Sequence, residues 1–366
     1  MVQVVSGVPT PKFWNGRKVL VTSHTGFKGS WSTQWFEMLG ADLCGVALDP
    51  DSKPSIWNDL RDNLRILDIR EDIRGNAWQQ QVNSFGPEIA FHLAAQPLVV
   101  MRWKDPALTF ETNLMGLVKF LQWVLSSNSV KTAITITSDK VYKLDSTKKP
   151  RSESDPLGGD DPYSASEAAA ELVLHSWSLT PDKRVASARS GNVIDGGDWA
   201  GDRLIPDLIR YWQGEEQFEL RNPNAIRPWQ HVLELLCGYL LLAEKLSACD
   251  LQYRAFNFGP SSLDQVAVKQ IVSKVERDLG IRTKPSAMIS SINPSYKESK
   301  FLLLDSKLAE TKLNWKSQIR WEQAIDMTLS RYRKYYQEVK ARELIAMDMK
   351  NFVEKVKSLE IKKWRF

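Results

Sequence analysis

Cysteine and histidine are scarce in this 366-residue chain, at three and four residues. Cys44, Cys237 and Cys249 are odd in number, far apart and without metal-ligand spacing. That pattern supplies neither a disulfide framework nor a thiolate metal site, and it fits a reducing cytoplasm. Long apolar runs are missing as well, and none approaches the about 20 residues of a bilayer span. Residues 1–18 show no basic stretch followed by an apolar run, so no signal peptide is expected. Charge of one sign is not in large excess: 49 basic and 44 acidic residues leave a net +5. A mixed, solvated surface follows, compatible with anionic small molecules and giving no reason to expect a nucleic-acid or membrane partner. Internal repeats and low-complexity segments are absent. The lysine-rich segment from Arg342 onward is expected to be a solvated helix packed on the body.

What the chain does have is 43% hydrophobic residues, enough for a substantial core in one large domain or two tightly joined ones. Lys18–Thr22 is a short apolar strand that stops at Ser23-His24-Thr25-Gly26-Phe27-Lys28-Gly29, followed by a helical pattern from Ser30 to Leu39. Strand, glycine turn and helix open a dinucleotide fold, because the helix N-terminus offers free N–H groups and a dipole to a pyrophosphate. Asp42–Leu48 is a second strand. Asp49 at its end can accept hydrogen bonds from both ribose hydroxyls and repels a 2′-phosphate, which favours NAD over NADP. Glu88–His92 is a further strand, running into the small-residue loop Leu93-Ala94-Ala95-Gln96-Pro97-Leu98-Val99. Helical spacing of apolar residues spans Thr109–Ser126.

The chemistry concentrates at Thr137-Ser138-Asp139-Lys140-Val141-Tyr142, where a strand from Thr132 ends in a hydroxyl, a carboxyl and an amine. A strand end is where an open α/β sheet places its reactive groups. Residues 143–159 form a polar loop. Tyr163 then opens a helix that reaches Trp177. Val185–Arg189 is a strand. Beyond it come Asn192, Arg203 and the segment Arg227-Pro228-Trp229-Gln230-His231. Arginine suits phosphate because its planar fork binds two oxygens at once.

These motifs, in this order, resemble the extended short-chain dehydrogenase/reductases, and among them the CDP-glucose 4,6-dehydratases. The resemblance runs from about Phe13 to about Val356. It implies an α/β fold: a Rossmann-type doubly wound parallel sheet with a smaller C-terminal substrate-binding α/β domain. Residues 13–190 are expected to form the NAD domain, joined by segments returning near 228–262. Residues 191–227 and 263–366 are expected to form the nucleotide-sugar domain. NAD contacts are implied for Ser23, Thr25, Gly26, Phe27, Gly29, Asp49, Asp68, Ile69, Leu93, Ala94, Ala95, Gln96 and Asn113. Substrate contacts are implied for Asn192, Arg203, Arg227 and His231. A homodimer through the 109–126 and 164–177 helices is implied too. Relatives carry a longer, tryptophan-containing insert where this chain has 143–159.

The implied reaction removes hydride from C4 of a nucleotide-linked hexose, expels water across C5 and C6, and returns the hydride at C6. Tyr163 would take the C4 hydroxyl proton, with Ser138 bonded to that oxygen. Asp139 would give its proton to the departing C6 hydroxyl. Lys140 would assist at C5 or steer the nearby charges.

Two positions depart from the family pattern. Ser23 replaces the first glycine of Gly-x-x-Gly-x-x-Gly, which strains the turn if φ there is positive. Glu167 replaces the lysine of Tyr-x-x-x-Lys, one helical turn from Tyr163. A carboxylate there raises the tyrosine pKa, so slow turnover near pH 7 is expected. The alternative to a working dehydratase is a catalytically silent relative that binds nucleotide or nucleotide-sugar as a partner subunit. A simple epimerase or reductase fits less well, since it has no use for a dehydration acid.

Overall fold

The computed structural model describes residues 7–97, 101–143, 147–177, 182–214, 218, 220, 222–248, 251, 254–261, 264–283 and 301–363, with 101–102 and 360–363 as backbone alone. Leu98 and Val99 of the expected cofactor loop, and Cys249, lie outside them.

Six strands alternate with helices: β1 (Lys18–Thr22), β2 (Asp42–Ala47), β3 (Ile66–Arg70), β4 (Ile89–His92), β5 (Thr132–Ser138) and β6 (Arg184–Ser190). Shorter strands follow: β7 (Val193–Ile194), β8 (Ile226–Pro228), β9 (Gln230–His231), β10 (Ala255–Phe258) and β11 (Gln265–Ala267). The main sheet has the order β10-β6-β5-β4-β1-β2-β3, and every pairing in it is parallel. Strand order reverses between β1 and β4, whose last residues Thr22 and His92 are in register. In an open α/β sheet the ligand crevice lies at such a reversal, outside the strands' C-terminal ends.

Side chains alternate between the two faces of the sheet. Val19, Val21 and Ile134 enter one core cluster, and Leu20 and Ala133 enter the other. Trp31, Trp35 and Phe36 bury one face of helix Phe27–Met38. Each such side chain, taken fully from water, stabilises the fold by about 1.5–3 kcal/mol.

The helices begin earlier than the sequence pattern suggests. Phe27–Met38 starts inside the glycine turn, three residues before Ser30. The expected helix 109–126 is α-helical over Pro106–Phe110 and Gly116–Ser126, with a π-helical turn over Glu111–Met115 between them.

Helix Pro162–Trp177 is capped by Asp161, whose Oδ1 accepts from the backbone N–H of Tyr163 at 3.0 Å and of Ser164 at 3.3 Å. Lower down, Glu171 and Arg189 form an ion pair at 2.6 Å with side chains 3% and 5% exposed. Thr137 and Ser187 donate to the same carboxylate at 2.5 and 2.9 Å. On β10, the Asn257 amide accepts from Tyr142 Oη at 2.6 Å and donates to the carbonyls of Arg151 at 2.8 Å and Asp305 at 3.2 Å. The Asn257 N–H donates to Glu153 Oε1 at 2.7 Å.

The tail helix Ala341–Lys363 lies against Phe27–Met38, with Phe352 and Trp35 edge to face at 6.1 Å. Arg331 binds its Asp348 at 2.5 Å and covers the Trp31 ring at 4.6 Å. Among the described residues no helix is long and apolar enough to cross a membrane.

Removing the Glu171 carboxylate would leave Arg189 buried and charged. Glu171→Ala is expected to cost about 3–5 kcal/mol of unfolding free energy, read from denaturant titration.

Candidate active site

The glycine turn follows β1. Ser23 sits there at φ 54°, in the left-handed region that side chains avoid. The Gly26 N–H donates to the Ser23 carbonyl at 3.1 Å. A Cβ on Gly29 would lie 2.1 Å from that same carbonyl oxygen, so only glycine lets the helix start this close to the turn. Thr25 Oγ1 donates to the Leu48 carbonyl at 3.0 Å and so tethers the turn to the end of β2. Phe27, Lys28 and Gly29 stand in the helix's first turn, where N–H groups have no intrahelical acceptor. A dinucleotide pyrophosphate fits such a cradle.

Next to it, His24 is buried and bonded through Nε2 to Asp68 Oδ1 at 2.8 Å. Burial dominates and lowers its pKa. A Cβ on Gly45 would strike the His24 ring at 2.4 Å, which explains a glycine in the middle of β2. Asp68 Oδ2 accepts from Arg70 at 2.8 Å, and Arg70 lies 3.7 Å from Asp49. Asp49 itself is 90% exposed and stands beside the crevice. Ile69 is a different case: its side chain is 2% exposed and packs in the core.

At the end of β4, the Thr22 hydroxyl accepts from the N–H groups of Leu93 and Ala94 at 3.0 and 3.1 Å. Ala95 is half-buried in the same loop. Asn113 Oδ1 accepts from the Gln96 N–H at 2.7 Å, and its amide donates to Ser166 Oγ at 3.0 Å. Asn113 lies in the π-helical turn and acts as a brace between this loop and the Tyr163 helix. π-helical turns recur at functional sites.

The third strand end brings the reactive groups together. The Ser138 hydroxyl faces the Tyr163 phenol, accepts from the Lys140 N–H at 3.2 Å and donates to Asp139 Oδ1 at 3.2 Å. Asp139 is 3% exposed, and its Oδ2 has no hydrogen-bond partner among the described residues. A Cβ on Gly191 would come within 3.0 Å of that oxygen, so the glycine leaves room beside it. Lys140 Nζ lies 3.6 Å from Asp139 Oδ1 and 5.9 Å from the Tyr163 ring centre. A small pocket of about 10 Å³ adjoins Asp139, bordered by Tyr142, Lys149, Arg151 and Phe301.

Burial first, and then Glu167, hold the Tyr163 phenol well above 10, while Ser138 and Arg203 pull the other way. Glu167 is 4% exposed. Burial raises its own pKa to about 8, against the pull of Lys28 and Lys140. The position opposite Tyr163 therefore holds mostly a neutral carboxylic acid at pH 7, which repels a phenolate less than the carboxylate expected from sequence.

Of the residues expected to meet substrate, Asn192 is half-buried, and its carbonyl accepts from the Gln230 N–H at 2.9 Å. Arg203 is 36% exposed, bonds Asp198 at 2.9 Å and faces Tyr163. Arg227 is 4% exposed, with Nη1 donating to the Ile226 carbonyl at 3.0 Å. His231 needs correction as a substrate contact. Its ring is wholly buried, with Nε2 2.9 Å from a buried Asp195, and so it holds β9 rather than facing the crevice. Sequence reasoning also passed over Lys28, Asp161, Ser166, Glu171 and Gly191. Of these only Asp161 left a readable signal, an aspartate directly before a helix that starts with proline.

Two measurements test this geometry. Ser23→Gly relieves a left-handed non-glycine residue and is expected to stabilise the fold by about 1 kcal/mol, visible as a higher unfolding temperature. Glu167 binds its proton more tightly folded than unfolded, so stability falls as pH rises from 4.5 to about 8. Glu167→Gln removes that slope, and its stability advantage over the wild type should grow across that window. Parallel pH profiles of thermal unfolding would refute the assignment.

Residues 19–259 match the family model described as NAD dependent epimerase/dehydratase family. CDP-glucose 4,6-dehydratase from Salmonella typhimurium is 39% identical over 335 residues, covering 88% of this chain and 91% of that protein. GDP-mannose 4,6-dehydratase from Vibrio cholerae is 21% identical over 339 residues, 83% of this chain and 90% of the other. Among solved structures, dTDP-glucose 4,6-dehydratase from Bacillus anthracis in complex with NAD superposes with a TM-score of 0.74 at 18% identity, over 87% of this chain and 97% of that one. UDP-glucose 4-epimerase from Thermotoga maritima does so with 0.73 at 22% identity, over 87% and 99%. These structures share the fold. With its glycine turn, its Ser138–Tyr163 pair and a match across most of its sheet, this chain belongs to the NAD dependent epimerase/dehydratase family.

Proposed function

We propose that this protein is a nucleotide-sugar 4,6-dehydratase that converts CDP-glucose to CDP-4-keto-6-deoxyglucose. One observation carries the reading: a buried acid, an amine and a hydroxyl at the end of β5 stand against the Tyr163 phenol. An acid next to the oxidation site is what loss of water demands and what simple epimerisation leaves unused. The 39% identity to the Salmonella CDP-glucose enzyme supports the choice of nucleotide.

The glycine turn from Ser23 to Gly29 and Asp49 would hold NAD, which would supply a reversible hydride acceptor for the sugar's C4 and C6. Tyr163 receives the C4 hydroxyl proton, and Ser138 orients that oxygen. Asp139, with one oxygen unpartnered among the described residues, protonates the leaving C6 hydroxyl. Lys140 assists removal of the C5 proton or steers the charge on Asp139. Arg203 and Asn192 are placed to meet the diphosphate. Residues 191–227 and 263–366 form the substrate side, and 13–190 with 228–262 the cofactor side. Met115 and Leu172, 48% and 62% exposed on the two expected interface helices, support a homodimer.

A second reading rests on Tyr163. A phenol held well above its usual pKa is a poor base at neutral pH, which favours a catalytically silent nucleotide-binding relative as partner subunit.

Incubating the purified protein with CDP-glucose and following the 4-keto product decides between them. The dehydratase reading expects product formation that Asp139→Asn reduces at least about a hundredfold, the scale of a lost general acid. Cofactor choice is tested separately by calorimetry. The exposed Asp49 carboxylate should make NAD bind at least about tenfold more tightly than NADP, and the reverse preference would remove Asp49 from the ribose site.

A further inference from the structure

The end of β3 carries a cation that the proposed reaction leaves unused. Arg70, the last residue of that strand, stands beside Asp49. Its Nη2 donates to Asp68 Oδ2 at 2.8 Å, and its Nη1 donates to the Leu48 carbonyl at 3.1 Å. The guanidinium also covers the Trp57 ring, 5.4 Å from the centroid. Asp68 is held in turn, through Oδ1, by the buried His24 at 2.8 Å. The Leu48 carbonyl accepts from Thr25 of the glycine turn as well. Ala47 of β2 and Arg70 of β3 are in register, which brings these groups together.

The contacts set Arg70 in place without help from Asp49. Asp49 is 90% exposed, and its Oδ1 lies 3.7 Å from Arg70 Nη1, beyond hydrogen-bond length. An exposed pair at that distance adds little to stability. Asp68, Leu48 and Trp57 are what fasten the guanidinium, and it has more N–H groups than its two bonds use. An anion in the place of the Asp49 carboxylate therefore meets a cation whose side chain is already ordered, so little further entropy is lost on contact.

We propose that Arg70 is a specificity-determining residue for the cofactor, acting as a pair with Asp49 in the choice between NAD and NADP. Asp49 faces the guanidinium and repels a 2′-phosphate. Arg70 offsets part of that repulsion, and its planar fork suits a phosphate once the carboxylate is gone. The preference for NAD is the difference between the two effects, so a single substitution at Asp49 turns an NAD site into one that receives NADP. The inference rests on the placement of Asp49 at the ribose and is independent of the dehydratase reaction.

Calorimetric titration of the intact chain, freed of cofactor, with NAD and with NADP reads the ratio of the two dissociation constants. A ratio cancels damage that weakens both cofactors alike. Asp49→Asn should move it at least about tenfold toward NADP. Adding Arg70→Gln should take back about tenfold, by weakening NADP while NAD changes little. Arg70→Lys in the same background keeps the charge and should keep the larger part of the shift. In the wild-type background, Arg70→Gln should raise the preference for NAD by about threefold, because the carboxylate's repulsion is no longer offset. An identical ratio in Asp49→Asn with and without Arg70→Gln would overturn the proposal and leave Asp49 at the ribose. A ratio that Asp49→Asn does not move would remove Asp49 from the ribose site and the proposal with it. Should Arg70→Gln fail to fold, Asp49→Asn with nitrogen-labelled arginine serves instead, and Arg70→Lys identifies the Arg70 side-chain signal. That signal must shift further with NADP than with NAD, and equal shifts sink the pairing.

Discussion

Glu171 and Arg189, 2.6 Å apart and almost sealed from solvent, join the Tyr163 helix to β6. Two hydroxyls, from Thr137 on β5 and Ser187 on β6, complete the carboxylate's shell. The pair matters because of what it sets above itself. Tyr163 lies two turns up the same helix, and its phenol must meet Ser138 at the end of β5. A rotation of the helix would move the phenol off that hydroxyl. The buried charges resist rotation, because any movement leaves one of them unpaired at low dielectric. Asp161 at the helix start and Asn113 through Ser166 add further restraints to the same element.

The same burial that makes the helix rigid sets the acid–base character of the site. Tyr163, Glu167 and Lys28 are all displaced toward their uncharged forms by loss of water. Reading charges from residue type alone places a full negative charge beside the phenol. Burial replaces it by a mostly protonated acid.

Local features were legible in the sequence. The strands, the glycine turn and the strand-end cluster carry their own periodicity and residue types, and each appears within a few residues of its expected place. The φ of Ser23 was conditional in sequence, because residue type does not state backbone conformation; the turn puts it at 54°. His231 was misplaced for a related reason. A motif locates a residue near a site without giving its direction, and here the ring turns toward Asp195.

Asn257 holds Tyr142 at one end of the polar loop and Arg151 and Glu153 toward the other, all from a single position on β10. Both ends of the loop are thereby anchored to the sheet. Those anchors, not the length of chain that joins them, fix where the loop leaves and returns. A loop tied in this way can change length between chains of the family while the end of β5 and the start of the Tyr163 helix keep their places.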